Sequence, residues 1–124
     1  MDEIQVWRIY AQADGTSSME RVADVPGLSG RATPWPARTM QFTRIRKDIT
    51  PSWHCAPRRQ VMATLAGEGE IETGDGQVLV VRPGIVTYLE DTSGKGHLTR
   101  ARGDADRLAI VVPLGDAQSP EVLT

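Results

Sequence analysis

The sequence predicts an all-β fold, a single barrel or sandwich of short strands, and three observations carry that expectation. No window repeats apolar residues at three- and four-residue spacing over several turns before a glycine or proline intervenes, so helix signals are weak almost throughout. Several short stretches alternate apolar and polar residues, as half-buried strands do. Twelve glycines and eight prolines are spread along the 124 residues, which reads as turn punctuation between many short elements. Strands of this kind close into a barrel or pair as a sandwich, because either arrangement protects their edges.

Residues 5–11 give the first alternating strand, and Asp14-Gly15 marks the turn after it. Residues 16–37 carry Pro26, Gly27, Gly30, Pro34, Trp35 and Pro36. They read as a long arm with a short helical turn near 19–23, packed on the barrel through Leu28 and Trp35. From residue 39 the pattern MQFTRIRK sets Met40, Phe42 and Arg44 against Gln41, Thr43 and Ile45, and Pro51 closes the strand. A second strand starts at Trp53, is interrupted by Pro57, and resumes over 60–66 up to the Gly67 turn. Ile71 and its neighbours run to Gly74-Asp75-Gly76, whose Asp-Gly pair is a strong hairpin signal. The unbroken apolar run Val78-Leu79-Val80-Val81 suggests burial on both faces. Pro83-Gly84 turns the chain into a short strand over 86–89, and a polar loop spans 90–96. Strands at 97–101 and 108–112 follow, the last ended by Pro113. The expected organisation is a strand and arm over 1–37, one core over 38–114 and a tail over 115–124, without a domain boundary or an internal repeat.

Fourteen basic residues against sixteen acidic ones leave a formal charge of -2. That balance lacks the positive excess that draws a protein onto phosphate backbones, so nucleic acid is not an expected partner. No stretch approaches the roughly 18 apolar residues that a membrane span needs. The start MDEIQVWRIY has no apolar run followed by a small-residue cleavage site, and a cytoplasmic protein is expected. The one cysteine, Cys55, cannot form an intramolecular disulfide, which agrees with a reducing compartment and leaves packing to hold the fold.

The chemistry-bearing residues fall in two segments. In WHCAPRRQVMATLAGEGEI, His54 is followed two positions on by Ala56, then by Gln60 and Gly67; in RPGIVTYLEDTSGKGH, Pro83-Gly84 is followed by His97. The spacing resembles the two motifs of the cupin superfamily, in which two histidines one residue apart, a glutamate and a glycine precede a Pro-Gly turn and a further histidine. His54, Gly67, Pro83-Gly84 and His97 match, whereas Ala56 stands at the second histidine position and Gln60 at the glutamate. The resemblance covers roughly 38–113. Within it the chain is similar to a group of small cupins with His-x-Ala-Pro-Arg-Arg-Gln and Glu-Asp-x-x-Gly-x-Gly-His cores.

That resemblance implies a single-domain β-barrel or jelly roll with an N-terminal arm, a pocket for a small molecule, and pairing as a homodimer. It also implies a divalent transition metal (zinc, iron, manganese or nickel), which His54, Gln60 and His97 would hold. Side chains two apart on a strand point the same way, so His54 and Ala56 should share a face. An amide oxygen is a weaker ligand than a carboxylate, so the ion would be held less tightly. Without metal, an imidazole that titrates near neutrality can still move a proton. His54 and His97 are the only two histidines, and both fall on ligand positions of the resembled motifs.

Other candidates divide between site and scaffold. Glu90 and Asp91 are candidates to orient His97 or act as a base, against the alternative of a solvated loop. Arg58 or Arg59 offers a guanidinium fork for a substrate carboxylate, but neighbouring strand positions face opposite ways, so at most one enters the pocket. Tyr88, Trp53 and Met62, with Met40 and Phe42, line a ligand cavity or simply fill the core. Cys55 reads as a small buried hydrophobe, and Glu68, Glu70 and Glu72 as one solvent-facing row. The function expected is that of a small-molecule enzyme: a lyase, isomerase, cyclase or oxygenase acting on an organic acid or oxygenated metabolite. The rival is a non-catalytic binding or sensing module with a degenerate metal site. A fold alone does not separate the two.

Overall fold

The computed structural model describes residues 4–25 and 30–115. The chain is all-β: among the described residues there is no helix, and the strands are β1 (Gln5–Ala11), β2 (Ser17–Arg21), β3 (Gln41–Ile45), β4 (Trp53–His54), β5 (Gln60–Ala66), β6 (Glu68–Glu72), β7 (Val78–Val81), β8 (Ile85–Leu89), β9 (His97–Arg102) and β10 (Arg107–Pro113). They form two sheets, ordered β2-β1-β8-β5-β10-β3 and β4-β9-β6-β7. Of the barrel or sandwich that the turn spacing leaves open, the strands take the second, a two-layered, sandwich-like arrangement and not a closed barrel.

Period-two alternation decides what each strand contributes to the space between the sheets. On β5 the inward positions are Gln60, Met62 and Thr64; on β8 they are Ile85, Thr87 and Leu89; on β10 they are Arg107, Ala109 and Val111. Ile9, Met19, Leu79, Val81 and Ile85 fill one end of that space, and Ala56, Ile71 and Leu89 continue the cluster to the wall of an open pocket at the other. Each such buried aliphatic side chain contributes about 1.5–3 kcal/mol. A second cluster, Tyr88 and Leu114 with Val22, Trp35 and Val61, lies on the opposite face of the larger sheet. There Trp35 stands edge-on to Tyr88, with ring centroids 5.5 Å apart.

The N-terminal segment is more than an arm. β1 pairs in parallel with β8 and antiparallel with β2, so this hairpin completes the larger sheet. No helical turn forms at 19–23, because pairing with β1 satisfies the backbone of β2 and sends Met19 into the core. Trp35 packs as expected, and Leu28 lies outside the described residues, as does most of the expected tail. The run Val78 to Val81 buries one face only: Leu79 and Val81 point in, while Val78 is 53% exposed at the sheet edge. On β3 the apolar-looking face is the outer one. Met40 and Phe42 are exposed, the latter at 73%, while Ile45 reaches the pocket. β3 pairs with β10, and that register puts Ile45 opposite the inward Arg107.

Candidate functional site

A pocket of about 140 Å³ opens between the two sheets. Met62, Ile71, Leu89 and Ile45 make its apolar walls, with Ile49 and Pro57 from loops, and its polar groups are His54, Gln60, His97, Thr99 and Arg107. The three residues of the resembled motifs, His54, Gln60 and His97, thus meet on one cavity. Ala56 lines it as well, as the shared face with His54 requires.

The two imidazoles come together because β4 and β9 pair with His54 directly opposite His97. Residues paired this way project to the same face of a sheet. Their ring centroids are 4.7 Å apart at an interplanar angle of 58°. β4 is only two residues long, bounded by Pro51 and Pro57, which cannot donate to a ladder. A glycine keeps it in place: Gly96 has φ +75°, and a Cβ there would lie 2.1 Å from the His54 carbonyl oxygen. The Gly96 carbonyl in turn accepts from Ser17 Oγ at 2.7 Å, and Lys95 N donates to Gly15 O at 2.9 Å. The β1–β2 hairpin therefore buttresses the loop that delivers His97.

His97 is 3% exposed, and its Nδ1 lies 2.5 Å from Asp91 Oδ2, a carboxylate with no solvent exposure. His54, at the exposed mouth, has Nδ1 3.0 Å from the Ser52 carbonyl. A carboxylate and a carbonyl accept only, so Nδ1 is the donor in both rings, and in a neutral imidazole it is Nε2 that carries the lone pair. Among the described residues neither Nε2 has a hydrogen-bond partner, and neither does the Gln60 amide. Asp91 Oδ1 is buried without a partner, while Asp91 O accepts from Ala56 N at 3.1 Å, joining this loop to the corner after β4.

Arg107 is the polar group that the sequence reading passed over. It is 3% exposed, lines the pocket and donates from Nη1 to Thr64 Oγ1 at 3.1 Å and towards Met62 Sδ at 3.5 Å. No carboxylate pairs with it among the described residues, and its Nε is buried without an acceptor. Burial pushes its pKa below the ordinary arginine value. The signal that would have found it is alternation: Arg107 stands two residues before Ala109, which is fully buried.

Several expected site residues lie elsewhere. Glu90 accepts from Arg8 Nε outside the pocket, so of the acidic pair only Asp91 orients His97. Arg58 is exposed, and Arg59 donates to Tyr88 Oη at 3.3 Å and to Gly115 O at 3.4 Å, so neither enters the cavity. Tyr88 faces away from the pocket because Thr87 and Leu89 take the inward positions of β8. Trp53 alternates outward from His54 and carries the Lys95 ammonium 4.2 Å from its ring centroid. Met62 lines the pocket as expected; Met40 and Phe42 do not. Cys55 is half-buried and bonds to Gly94 O at 3.2 Å. The Glu68, Glu70 and Glu72 row pairs outside with Arg100 and Arg102.

No protein-family model matches the chain, and no curated protein matches it. Among solved structures it is similar to protein NMB1881 from Neisseria meningitidis, at 13% identity and a TM-score of 0.45, over 61% of this chain and 72% of that one. Among the described residues there is no group of three or more His, Cys, Asp or Glu side chains placed to hold a metal ion. Among the described residues no helix is long and apolar enough to cross a membrane.

Proposed function

We propose that the chain is a cupin-type small-molecule enzyme whose pocket acts on an organic acid or oxygenated metabolite through His54 and His97. The observation that carries this reading is the pairing of the chain's two histidines across β4 and β9, with Nδ1 of each engaged and both rings on one cavity. Metal ligands are commonly held in this way, the distal nitrogen fixed by a carboxylate or carbonyl so that the other is presented. The residues present fit a loosely held divalent transition ion: two imidazoles from His54 and His97 and the neutral amide of Gln60, with Ala56 leaving room. Bound there, such an ion would supply Lewis-acid polarisation of a substrate oxygen.

A second reading is favoured by the buried Asp91 carboxylate on His97. His97 Nε2 takes a proton from the substrate, and Asp91 stabilises the imidazolium that forms, a contribution typically of about 10²–10⁴-fold in rate. A non-catalytic binding module is the remaining alternative, supported by Ala56 and Gln60 at the two positions where the resembled motif has His and Glu. A reducing, cytoplasmic setting belongs to the same proposal, supported by the single cysteine. So does a homodimer, supported by the open edge of β3, a strand that ends its sheet and on which Phe42 is exposed, with Met40 exposed just before it.

Elemental mass spectrometry after incubation with zinc, iron, manganese and nickel tests the metal form. Stoichiometric metal is expected in the wild type, lost in His54→Ala and in His97→Ala and held more tightly in Gln60→Glu. Absence of metal from the wild type would overturn that form and leave proton transfer by His97 or simple binding.

A further inference from the structure

Several arginines on the outside of this protein pair with carboxylates, and among the described residues the buried one does not. Arg8 pairs with Glu20 and Glu90, Arg44 with Asp106, Arg100 with Glu72, and Arg102 with Glu68 and Glu70. Arg107, nearly out of solvent, has among the described residues only the Thr64 hydroxyl and the Met62 sulfur, both neutral. The nearest acidic residues in sequence are turned outward: Asp106 accepts from Lys47 N at 2.8 Å and from Arg44. Removing a guanidinium from water without an opposite charge is costly, and buried charges are ordinarily paired.

The fold makes room for this uncompensated cation. On β6, Gly69 faces Arg107, and a Cβ there would lie 2.9 Å from Arg107 Nε, so the missing side chain is the slot through which the arginine passes. On β5, Leu65 has no partner in the β10 register, a bulge beside the inward Thr64 that receives Nη1. The guanidinium reaches along the inward row of β5 towards Met62, one inward position from Gln60. Apart from Gln60, Thr99 and the histidine pair, the rest of the lining is apolar.

We propose that Arg107 is the anion-recognition residue of this pocket and that its ligands are small monocarboxylic acids, the carboxylate gripped by the guanidinium fork and the body lying among Ile45, Met62 and Ile71. A planar carboxylate matches two parallel N–H donors of arginine. The volume, about 140 Å³, is close to that of cavities which hold a single six-membered ring, roughly 150 Å³, so an acid of that size fits within it. The inference rests on the small-molecule reading above but not on either histidine.

The test is calorimetric binding of acetate, butyrate and benzoate, each against its neutral amide, to wild type, Arg107→Met, Arg107→Lys and His97→Ala, with thermal midpoints recorded for all four. Wild type is expected to bind at least one acid at least tenfold more tightly than its amide. Arg107→Met should remove that preference while keeping or raising the thermal midpoint, since a buried unpaired charge is gone. Arg107→Lys, with charge but no fork, should fall between. His97→Ala should keep the preference, so a failure of the histidine-based enzyme reading, read separately from metal content, leaves this proposal standing. Acid and amide binding alike to wild type, no binding of any of the acids, or an unchanged preference in Arg107→Met would overturn the proposal.

Discussion

Asp91 and His97 form a pair closed off from solvent, a buried carboxylate accepting at 2.5 Å from a buried imidazole. If that contact serves to present Nε2, Asp91→Asn should weaken zinc binding by roughly 10–100-fold, the usual effect of removing such an orienting carboxylate, while zinc still reaches His54. Titration with zinc followed by fluorescence of a competing indicator measures this. Both histidines were legible in the sequence because they are the only two and their spacing fits a known pattern. Arg107 was not, because the last strand was expected to begin at Leu108, whereas β10 begins at Arg107, which brings it into alternation with the inward Ala109. Arg58 drew attention by lying beside the motif, yet alternation and Pro57 turn it to solvent.

At the scale of elements, short strands need exact turns. Gly96 combines φ +75° with the close approach of the β4 backbone. Gly96→Ala is expected to cost about 1–3 kcal/mol or more, measured by denaturant unfolding, and to lower zinc binding because β4 carries His54. The β6–β7 turn has a separate signature. Asp75 is held at about 2, first by the Ser18 hydroxyl at 2.6 Å and then by Thr73 and Gln77. A carboxylate with a depressed folded value stabilises the protein fully above its unfolded value, near 3.8, and that stability is lost as pH falls through about 2. Thermal midpoints of wild type and Asp75→Asn should therefore differ most above pH 4 and converge towards pH 2; a gap that persists at pH 2 would contradict the assignment. This turn, like β1, β5 and the Pro83-Gly84 turn, was legible because Gly, Pro and Asp act locally. The β1–β2 hairpin and the outward face of β3 were not, since partners distant in sequence decide both.

Across the whole molecule, one inter-sheet space is divided between a packed end and an open end, and Ile71 belongs to both. Ile71→Ala should destabilise the protein by about 2–5 kcal/mol in denaturant unfolding and enlarge the pocket at the same time, so that bulkier acids gain affinity. The all-β class followed from alternation and turn residues alone. Whether the strands close as a barrel or split into two sheets depends on which edges meet, which no local pattern encodes.

The central claim is that His54 and His97 form one site, and long-range ¹H–¹⁵N NMR of the imidazoles tests it directly, since only these two rings appear in the spectrum. With Nδ1 protonated in both rings, addition of zinc is expected to shift both Nε2 resonances together along one binding curve. Separate curves, a response from a single ring, or no response from either would contradict it.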